Sequence, residues 1–399
     1  MATIRGGSRH GVVLEDGSLH CEYYDSRRCG SCTIIETPYH QQVAHKRARV
    51  AALLEPLAPD LRWLPGVESR PTAFRTKAKM VVAGTVDAPT IGILDAHGEG
   101  QDLRECPLYP PALAAAFPHL AAFVTRARLE PYSVPHRRGE LKHVLVTLAP
   151  DGDLMVRWVL RSTEALSRIR KHLPWLVAQL PQLSVASVNV QSEHKAILEG
   201  ERETVLTDRD TLTMTVNGFD LHVRPQSFFQ TNTDVAASLY RQAAAWIDEA
   251  APAHLWDLYC GVGGFALHTA ASGRPVTGVE ASAQAVASAR RTRDDRLAAG
   301  DTAMEHVSFV TDDAVAWAVR QADAAQAVVV NPPRRGLGEE LSRWLDGSGA
   351  STVIYSSCNP DTLARDVAWM PSFVAREARL FDMFPHTTHG EVAVVLARH

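Results

Sequence analysis

The sequence places a thiol and a carboxylate at the ends of two apolar segments in its C-terminal half. Cys358 ends the segment STVIYSSC, and Glu391 begins the segment EVAVVLA. Both segments have the length and the β-branched content of strands. Reacting groups in open α/β sheets gather where strands end. A lone buried cysteine is most often a small packing residue, and only the neighbouring motifs favour a catalytic role for Cys358.

A glycine-rich segment, WDLYCGVGGF at residues 256–265, is the first of these motifs. Its pattern predicts a strand, a tight turn and a helix, and glycine lets the backbone approach a ligand at the helix N-terminus. Glu280 ends the next predicted strand, where an acidic residue can accept both ribose hydroxyls of a nucleotide cofactor. The spacing G-x-G-G differs from the dinucleotide pattern G-x-G-x-x-G and favours S-adenosylmethionine over NAD. A tight turn without a ligand is the alternative.

The second motif is Asn331-Pro332-Pro333-Arg334, which follows an apolar run at residues 327–330. A thiol and a carboxylate beside a methyl donor suggest methylation of a pyrimidine at C5, an atom that is a poor nucleophile. A thiolate that adds to C6 makes C5 enolate-like, so that C5 can accept the methyl group. A base must then remove the C5 proton before the adduct can eliminate. Cys358 fits the first role and Glu391 the second.

Four further cysteines lie in the N-terminal part, as Cys21-x7-Cys29-x2-Cys32 with Cys106 downstream. Disulfides are rare in cytosolic proteins, so metal binding is the first role to consider. Four thiolates can hold an iron–sulfur cluster or structural zinc, and the spacing alone does not separate the two. The sixth cysteine, Cys260, lies in the glycine-rich turn and is predicted to be a packing residue.

The elements that must position these groups follow two patterns. Residues 1–20 are predicted to be a loose polar extension, and a helix is predicted from Pro38 to Leu54. The middle of the chain predicts α+β structure: a hairpin around PDGD, a helix over TEALSRIRKHLPWL, and a second hairpin at Asn217-Gly218, which suits a type I′ turn. From about Ser227 strands and helices alternate, which predicts a parallel sheet with helices on both faces.

Composition sets the broad class. The chain has 399 residues, 46% of them hydrophobic, and a formal net charge of −4. It has no apolar run of the roughly 20 residues that span a bilayer and no apolar signal core at its start, so we expect a cytoplasmic protein. All lysines precede residue 226, so the first half is the expected source of phosphate contacts. We predict three segments: 1–35 with the cysteine loop, a central domain at 36–226 and a cofactor domain at 227–399.

The motifs closely resemble those of the bacterial RNA uracil-C5 methyltransferases. The matching blocks run from Cys21 to the C-terminus, and they are FRTKAKMVV, CPLYP, RPQSFFQTN, DLYCGVGGF, NPPRRG, YSSCN and DMFPHTTHGEV. The resemblance implies a Rossmann-like S-adenosylmethionine-dependent domain behind a cluster-binding segment and an RNA-binding α+β domain. It also implies the following roles: Cys358 as nucleophile, Glu391 as general base, Gln230, Tyr259, Gly261, Glu280 and Asn331 as cofactor contacts, and Cys21, Cys29, Cys32 and Cys106 as ligands of a [4Fe-4S] cluster.

Within the family, the NPPRRG variant and the absence of a small β-barrel before Cys21 favour the branch that methylates one uridine of 23S ribosomal RNA, of the uracil-747 type. Other branches usually have Asp at the position of Asn331. The family member has Phe at the position of Tyr259, so this chain adds a hydroxyl. The implied partner is a single-stranded or loop region of 23S rRNA, with no membrane and no obligate protein partner. The segments at residues 75–79 and 136–138 are the expected phosphate contacts.

Three alternatives differ in their requirements. Amino-methylating enzymes for adenine or cytosine also use Asn-Pro-Pro, but they usually place an aromatic residue where Arg334 stands and need no later thiol. RNA cytosine-C5 methyltransferases generally use two cysteines at neighbouring strand ends, and the strand before Asn331 has none. A non-catalytic RNA-binding or cluster-sensing protein would not need Cys358 and Glu391, and a methylation assay separates it from an enzyme.

Overall fold

The structure is a computed structural model that describes residues 11–194 and 197–399. Residues 1–10 of the predicted extension lie outside the described residues. The prediction of a loose chain was wrong for residues 11–20, since Gly11–Val13 and Leu19–Cys21 pair as an antiparallel hairpin.

The strands of the described residues share two large sheets and two short hairpins. In chain order they are β1 (Gly11–Val13), β2 (Leu19–Cys21), β3 (Arg62–Trp63), β4 (Lys77–Gly84), β5 (Pro89–Leu94), β6 (Gly100–Asp102), β7 (Leu141–Leu148), β8 (Leu154–Leu160), β9 (Leu183–Val190), β10 (Arg202–Val205), β11 (Leu212–Val216), β12 (Phe219–Val223), β13 (Leu255–Leu258), β14 (Val276–Glu280), β15 (Val307–Thr311), β16 (Ala327–Val330), β17 (Thr352–Ser357), β18 (Phe373–Phe381) and β19 (Glu391–Arg398).

The helices mostly connect these strands. They are α1 (Glu22–Asp25), α2 (Tyr39–Leu54), α3 (Pro111–Ala114), α4 (Ala116–Arg126), α5 (Leu166–Gln179), α6 (Thr233–Ala250), α7 (Gly264–His268), α8 (Ala283–Ala298), α9 (Ala314–Val319), α10 (Glu339–Gly347) and α11 (Pro360–Ala368), with a 3₁₀ turn at Thr302–Met304. No helix of the described residues is long and apolar enough to cross a membrane.

The chain folds into two compact units. The first unit comprises the described residues within Met1–Pro38 and Arg70–Thr213, and the second comprises Tyr39–Ser69 and Met214–His399. The boundaries of these compact units differ from those of the three predicted segments. The predicted segments divide the chain by function, and that division stays a prediction. The difference arises mainly at α2, which packs with the C-terminal sheet although it is distant from it in sequence.

A seven-stranded mixed sheet forms the first unit, in the order β10-β9-β8-β7-β4-β5-β6. The predicted PDGD hairpin is confirmed as the antiparallel pair β7–β8. The predicted helix after it is confirmed as α5, which joins the parallel neighbours β8 and β9. Phe117, Phe123 and Trp158 are fully buried in the core of this unit.

An eight-stranded sheet forms the second unit, in the order β15-β14-β13-β16-β17-β19-β18-β3. The predicted parallel sheet is confirmed for five of the eight strands but not for the strands around β19. The run from β15 to β17 is parallel, but β19 pairs antiparallel with both β17 and β18. Inserting a reversed strand brings the beginning of β19 to the edge at which β17 ends. The sheet is therefore mixed, and this reversal positions the candidate site.

Two local predictions in the second unit are confirmed in detail. Asn217 and Gly218 both have positive φ, 50° and 83°, as the type I′ turn between β11 and β12 requires. The segment TDVAASLYRQAAAWIDEA forms α6 along its whole length, and the Asn232 side chain caps it by accepting from the Val235 N–H. The cap satisfies one of the donors that a helix N-terminus leaves without a partner.

Candidate active site

Cys358 and Glu391 meet because β17 and β19 run in opposite directions. Ser357, the last residue of β17, is the register partner of Val392. Cys358 directly follows Ser357, Glu391 directly precedes Val392, and the charge of Glu391 acts on the Cys358 thiol. Opposed residues of an antiparallel pair have Cα atoms about 4.5–5.5 Å apart. The register thus brings together the two residues predicted to act as nucleophile and base.

Glu391 is held in a buried polar niche at the start of β19. Its side chain is only 2% exposed, and its Oε1 accepts hydrogen bonds from Asn331 Nδ2 at 3.0 Å and from Ser356 Oγ. Burial raises the pKa of Glu391 to about 7, although the two hydrogen bonds act in the opposite direction. A carboxylate with a pKa near neutrality is suited to accept a proton and release it again.

The Cys358 thiol is half-buried, and its pKa lies above the ordinary value. Burial is the main cause, and the negative charge of Glu391 adds to it. The Arg334 guanidinium opposes both effects, through its positive charge and through a hydrogen bond to the thiol. Sequence reasoning did not identify how the thiolate is favoured. The structure identifies Arg334, which the NPPRRG motif places three residues after Asn331, as a group that partly offsets the effect of burial on the pKa of the thiol.

The backbone of Arg334 is tied to the segment that follows Cys358. The Arg334 carbonyl oxygen accepts from Asn359 Nδ2 at 3.0 Å and from Thr362 Oγ1 at 3.4 Å. Further along the loop, the Leu337 N–H donates to the buried Asp366 carboxylate at 2.6 Å. These contacts hold the loop after β16 against the start of α11, and so they hold the guanidinium near the thiol.

A cavity of about 200 Å³ opens beside Cys358. Its lining is rich in cationic and polar groups from several elements of the second unit: Lys46, Arg49, Val50, Arg334, Cys358, Asn359, Pro360, Asp361, Leu380, Thr388, His389, Gly390 and Val392. The pKa of His389 is lowered by burial and by nearby Arg334, Lys46 and Arg49, so its imidazole is neutral at neutral pH. A cationic cavity with a thiol in its wall suits an anionic substrate.

The glycine-rich turn has the backbone conformation that a close ligand contact requires. Gly261 and Gly263 have φ values of 53° and 86°, and α7 begins at Gly264. Glu280 ends β14, as predicted, and its carboxylate accepts from the Gly261 N–H at 3.2 Å and the Ser282 N–H at 2.8 Å. The acidic side chain is therefore fixed against the turn, at the strand end where a ribose binds in such folds.

The other predicted cofactor contacts come from three loops. Tyr259 follows β13 with a φ of 65°, and its ring is half-buried. Gln230 is 8% exposed in the loop before α6. Asn331 follows β16 and donates to the Ser356 carbonyl oxygen at 3.2 Å as well as to Glu391. Asn331 is thus hydrogen-bonded to Glu391, the predicted base, and the sequence did not indicate this contact.

Two residues of this unit were not singled out from the sequence. Asp257 is fully buried in β13 and accepts from the Ala266 N–H at 2.8 Å, which fixes the start of α7. Burial raises the pKa of Asp257 to about 8. Phe228, two residues before Gln230, is 69% exposed. The only sequence signal for Phe228 is its place in the block RPQSFFQTN. The neighbouring residues in the sequence do not show whether a phenylalanine is exposed.

The N-terminal cysteines lie together in the first unit. Cys21, Cys29, Cys32 and Cys106 line one cavity with apolar neighbours such as Leu19 and Ile35. Burial raises the pKa of both Cys32 and Cys106 to about 12. The sulfur donors match the ligands of iron–sulfur and zinc sites. However, no three His, Cys, Asp or Glu side chains in residues 11–194 and 197–399 are grouped so that they could hold a metal ion, so the structure does not show the predicted cluster.

Comparison with known proteins gives matches over most of the chain. The family model described as tRNA (Uracil-5-)-methyltransferase matches residues 179–399. The 23S rRNA (uracil(747)-C(5))-methyltransferase of Halothiobacillus neapolitanus is 50% identical over 95% of this chain and 100% of its own length. The enzyme of the same name from Pectobacterium atrosepticum is 46% identical over 95% of this chain and 100% of its own length.

A solved structure has the same fold. The Pyrococcus abyssi tRNA (uracil-54, C5)-methyltransferase, in complex with S-adenosyl-L-homocysteine, has a TM-score of 0.75 to this chain at 23% identity. The match covers 92% of this chain and 85% of that one. The Rossmann-like methyltransferase fold predicted from the sequence is thereby confirmed.

Proposed function

Because this chain belongs to the uracil-C5 methyltransferase family, we propose that it transfers a methyl group from S-adenosylmethionine to C5 of a loop uridine in 23S ribosomal RNA. The observation that carries the proposal is the strand register that brings Cys358 near Glu391, beside a cationic cavity. We expect the protein to act in the cytoplasm, where its RNA substrate is found.

S-adenosylmethionine supplies an electrophilic methyl group when it is bound. The Cys358 thiolate, whose negative charge the Arg334 guanidinium partly offsets, forms a bond to C6, and the electron pair of the C5–C6 double bond makes C5 nucleophilic. After C5 has gained the methyl group, Glu391 takes the C5 proton. The electron pair of that C–H bond restores the double bond, and the sulfur leaves C6 as a thiolate.

We propose that five residues hold the methyl donor. The set is Gln230, Tyr259, Gly261, Glu280 and Asn331. The positive φ of Gly261 and the fixed carboxylate of Glu280 support it. Both hydrogens of the Asn331 amide already go to Ser356 and Glu391, so only its Oδ1 can accept from the cofactor. Asn331 would then connect the methyl donor to the base.

The first unit is the proposed source of RNA contacts. Arg137 and Arg138 are exposed in the loop before β7, and Lys79 is exposed in β4. Lys77 is less available, since burial lowers its pKa to about 8. In the second unit, the exposed ring of Phe228 can stack on an unpaired base. Stacking on Phe228 favours a loop uridine, which is already unpaired and is extruded from its stack at low cost.

The substrate is tested by transfer of a radiolabelled methyl group to protein-free 23S rRNA and to tRNA at equal concentration and salt. We expect methylation of one 23S rRNA uridine, at the position named in the relatives, and none of tRNA. Mapping the labelled nucleotide identifies it. Efficient labelling of tRNA with none of 23S rRNA would assign the chain to another branch of the family.

We also propose that Cys21, Cys29, Cys32 and Cys106 bind a [4Fe-4S] cluster with a structural role, because methyl transfer itself requires no electron. The support is that the four cysteines line one cavity. Anaerobically purified protein should contain about four iron and four sulfide per chain.

Two single substitutions test the cluster: one at a proposed ligand, and one at a cysteine outside the set as its control. Cys29→Ser should lose the iron, whereas Cys260→Ser, which lies in the other unit, should keep it. Iron content and visible absorption measure both. Stoichiometric zinc in protein from iron-replete cells, or full iron content in Cys29→Ser, would contradict the proposal.

A further inference from the structure

The loop between β18 and β19 is tied to helix α2 by buried polar contacts. Lys46 Nζ donates to Asp382 Oδ1 at 2.5 Å, and the Tyr39 hydroxyl donates to Asp382 Oδ2 at 2.6 Å. Gln42 Oε1 accepts from the His386 N–H at 2.8 Å. The three helix residues lie on one face, at positions i, i+3 and i+7. The side chains of Gln42, Asp382 and His386 are fully buried, and Lys46 is 5% exposed.

Each contact is specific in its geometry. The backbone N–H of His386 must donate, so the oxygen of the Gln42 amide faces it and the amide nitrogen faces the ring, with Nε2 lying 3.2 Å from His386 Nδ1. That nitrogen donates, which leaves the His386 proton on Nε2. His386 has a φ of 64°, a conformation that is costly for a residue with a Cβ and persists where surroundings enforce it. Lys46 also donates to the Phe384 carbonyl oxygen at 3.0 Å.

These contacts act next to the rung of the sheet that carries the proposed base. Phe381 and Glu391 are register partners and form the last rung of the β18–β19 ladder. Asp382, the residue just beyond that rung, accepts the hydrogen bonds from Lys46 and Tyr39. Strand ends open more readily than strand centres, so a group on the last rung needs an external restraint to keep its position.

We propose that Tyr39, Gln42 and Lys46 form a clamp that keeps this last rung closed and so positions Glu391 for removal of the C5 proton. This inference rests on the proposed role of Glu391. The clamp residues are positioning residues, since they act on the base through the loop. Their loss should slow the elimination step more than it slows addition of Cys358 to the substrate.

The test compares Gln42→Ala with Gln41→Ala on the same helix. Gln41 is exposed and makes no part of the clamp. We expect Gln42→Ala to lower kcat between about tenfold and a hundredfold, with the KM for RNA within about twofold, and a methylated protein–RNA adduct to accumulate during turnover. Gln41→Ala should match the wild type in all three measurements.

Accumulation of the adduct separates positioning from general damage, because a partly unfolded enzyme loses all steps together. Tyr39→Phe removes one hydrogen bond to Asp382 and keeps the ring, so it should show the same effect to a smaller degree even if Gln42→Ala does not fold. A lower kcat without adduct in the variant that folds would overturn the clamp. If Glu391→Gln itself gives no adduct, Glu391 is not the base, and the proposed role of the clamp is then contradicted as well.

Discussion

Replacing Cys358 by alanine is expected to abolish turnover, with a loss of about 10⁶-fold, as found when the nucleophile of another enzyme is removed. Among the described residues no other thiol lines the cavity beside Cys358, and Cys260 is buried within the glycine-rich turn. Methyl transfer to 23S rRNA measures the loss. With RNA that contains 5-fluorouridine, the wild type should form a stable adduct, since fluorine does not leave as a proton does.

The matched control is Cys358→Ser, which keeps the shape of the side chain. Serine ionises far less readily than cysteine, so this variant should bind S-adenosylmethionine normally and still form no adduct. Binding of the cofactor by both variants confirms that the site is folded. Methylation by Cys358→Ala at a rate near that of the wild type would disprove the covalent mechanism.

Glu391→Gln is expected to stop the reaction after methyl transfer. Glutamine fills the same niche and can accept from Asn331 and Ser356, but it cannot take the C5 proton. A methylated protein–RNA adduct should therefore accumulate, visible on denaturing gels, while kcat falls by about 10²–10⁴-fold. Normal turnover without an adduct would assign the base to another residue.

The pH dependence of the elimination rate gives a second test of Glu391 as the base. Its pKa is raised to about 7 by burial, and only the deprotonated form can accept the C5 proton. The rate of elimination should therefore be low in acid and rise through about pH 7. In Glu391→Gln this dependence of elimination should disappear. If the elimination rate of the variant still fell in acid as it does in the wild type, another group would be responsible for the pH dependence.

Local structure was predictable from the sequence where neighbouring residues determine it. The turn at Asn217-Gly218 depends on two residues that tolerate positive φ, and α6 depends on its own periodicity and on its Asn232 cap. The glycine-rich turn and Glu280 were identified for the same reason. In each case the information lies within a few residues, and the physical constraint is backbone conformation.

Long-range pairing was not predictable in this way. The sequence suggested a parallel sheet because β–α alternation is the local signal, and nothing within EVAVVLA tells in which direction the strand runs. The contact of Gln42 with His386 joins residues 344 positions apart, and α2 shows no sign in its own sequence of belonging with the C-terminal sheet. Arg334 and Asn331 were noticed as parts of a motif, yet their partners, Cys358 and Glu391, emerge only from the fold.

The order of strands in the second unit has a consequence for synthesis of the chain. β19 is made after β18 but lies between β17 and β18 in the sheet. Until residues 391–398 are available to pair, β18 has only the two-residue strand β3 as a hydrogen-bonded neighbour, and the edges of β17 and β18 that β19 joins stay unpaired. This one strand therefore completes the sheet and also brings Glu391 to its position. A translation product that stops before residue 391 would expose strand edges that invite aggregation, so we expect such fragments to be cleared rather than to survive as inactive RNA-binding competitors.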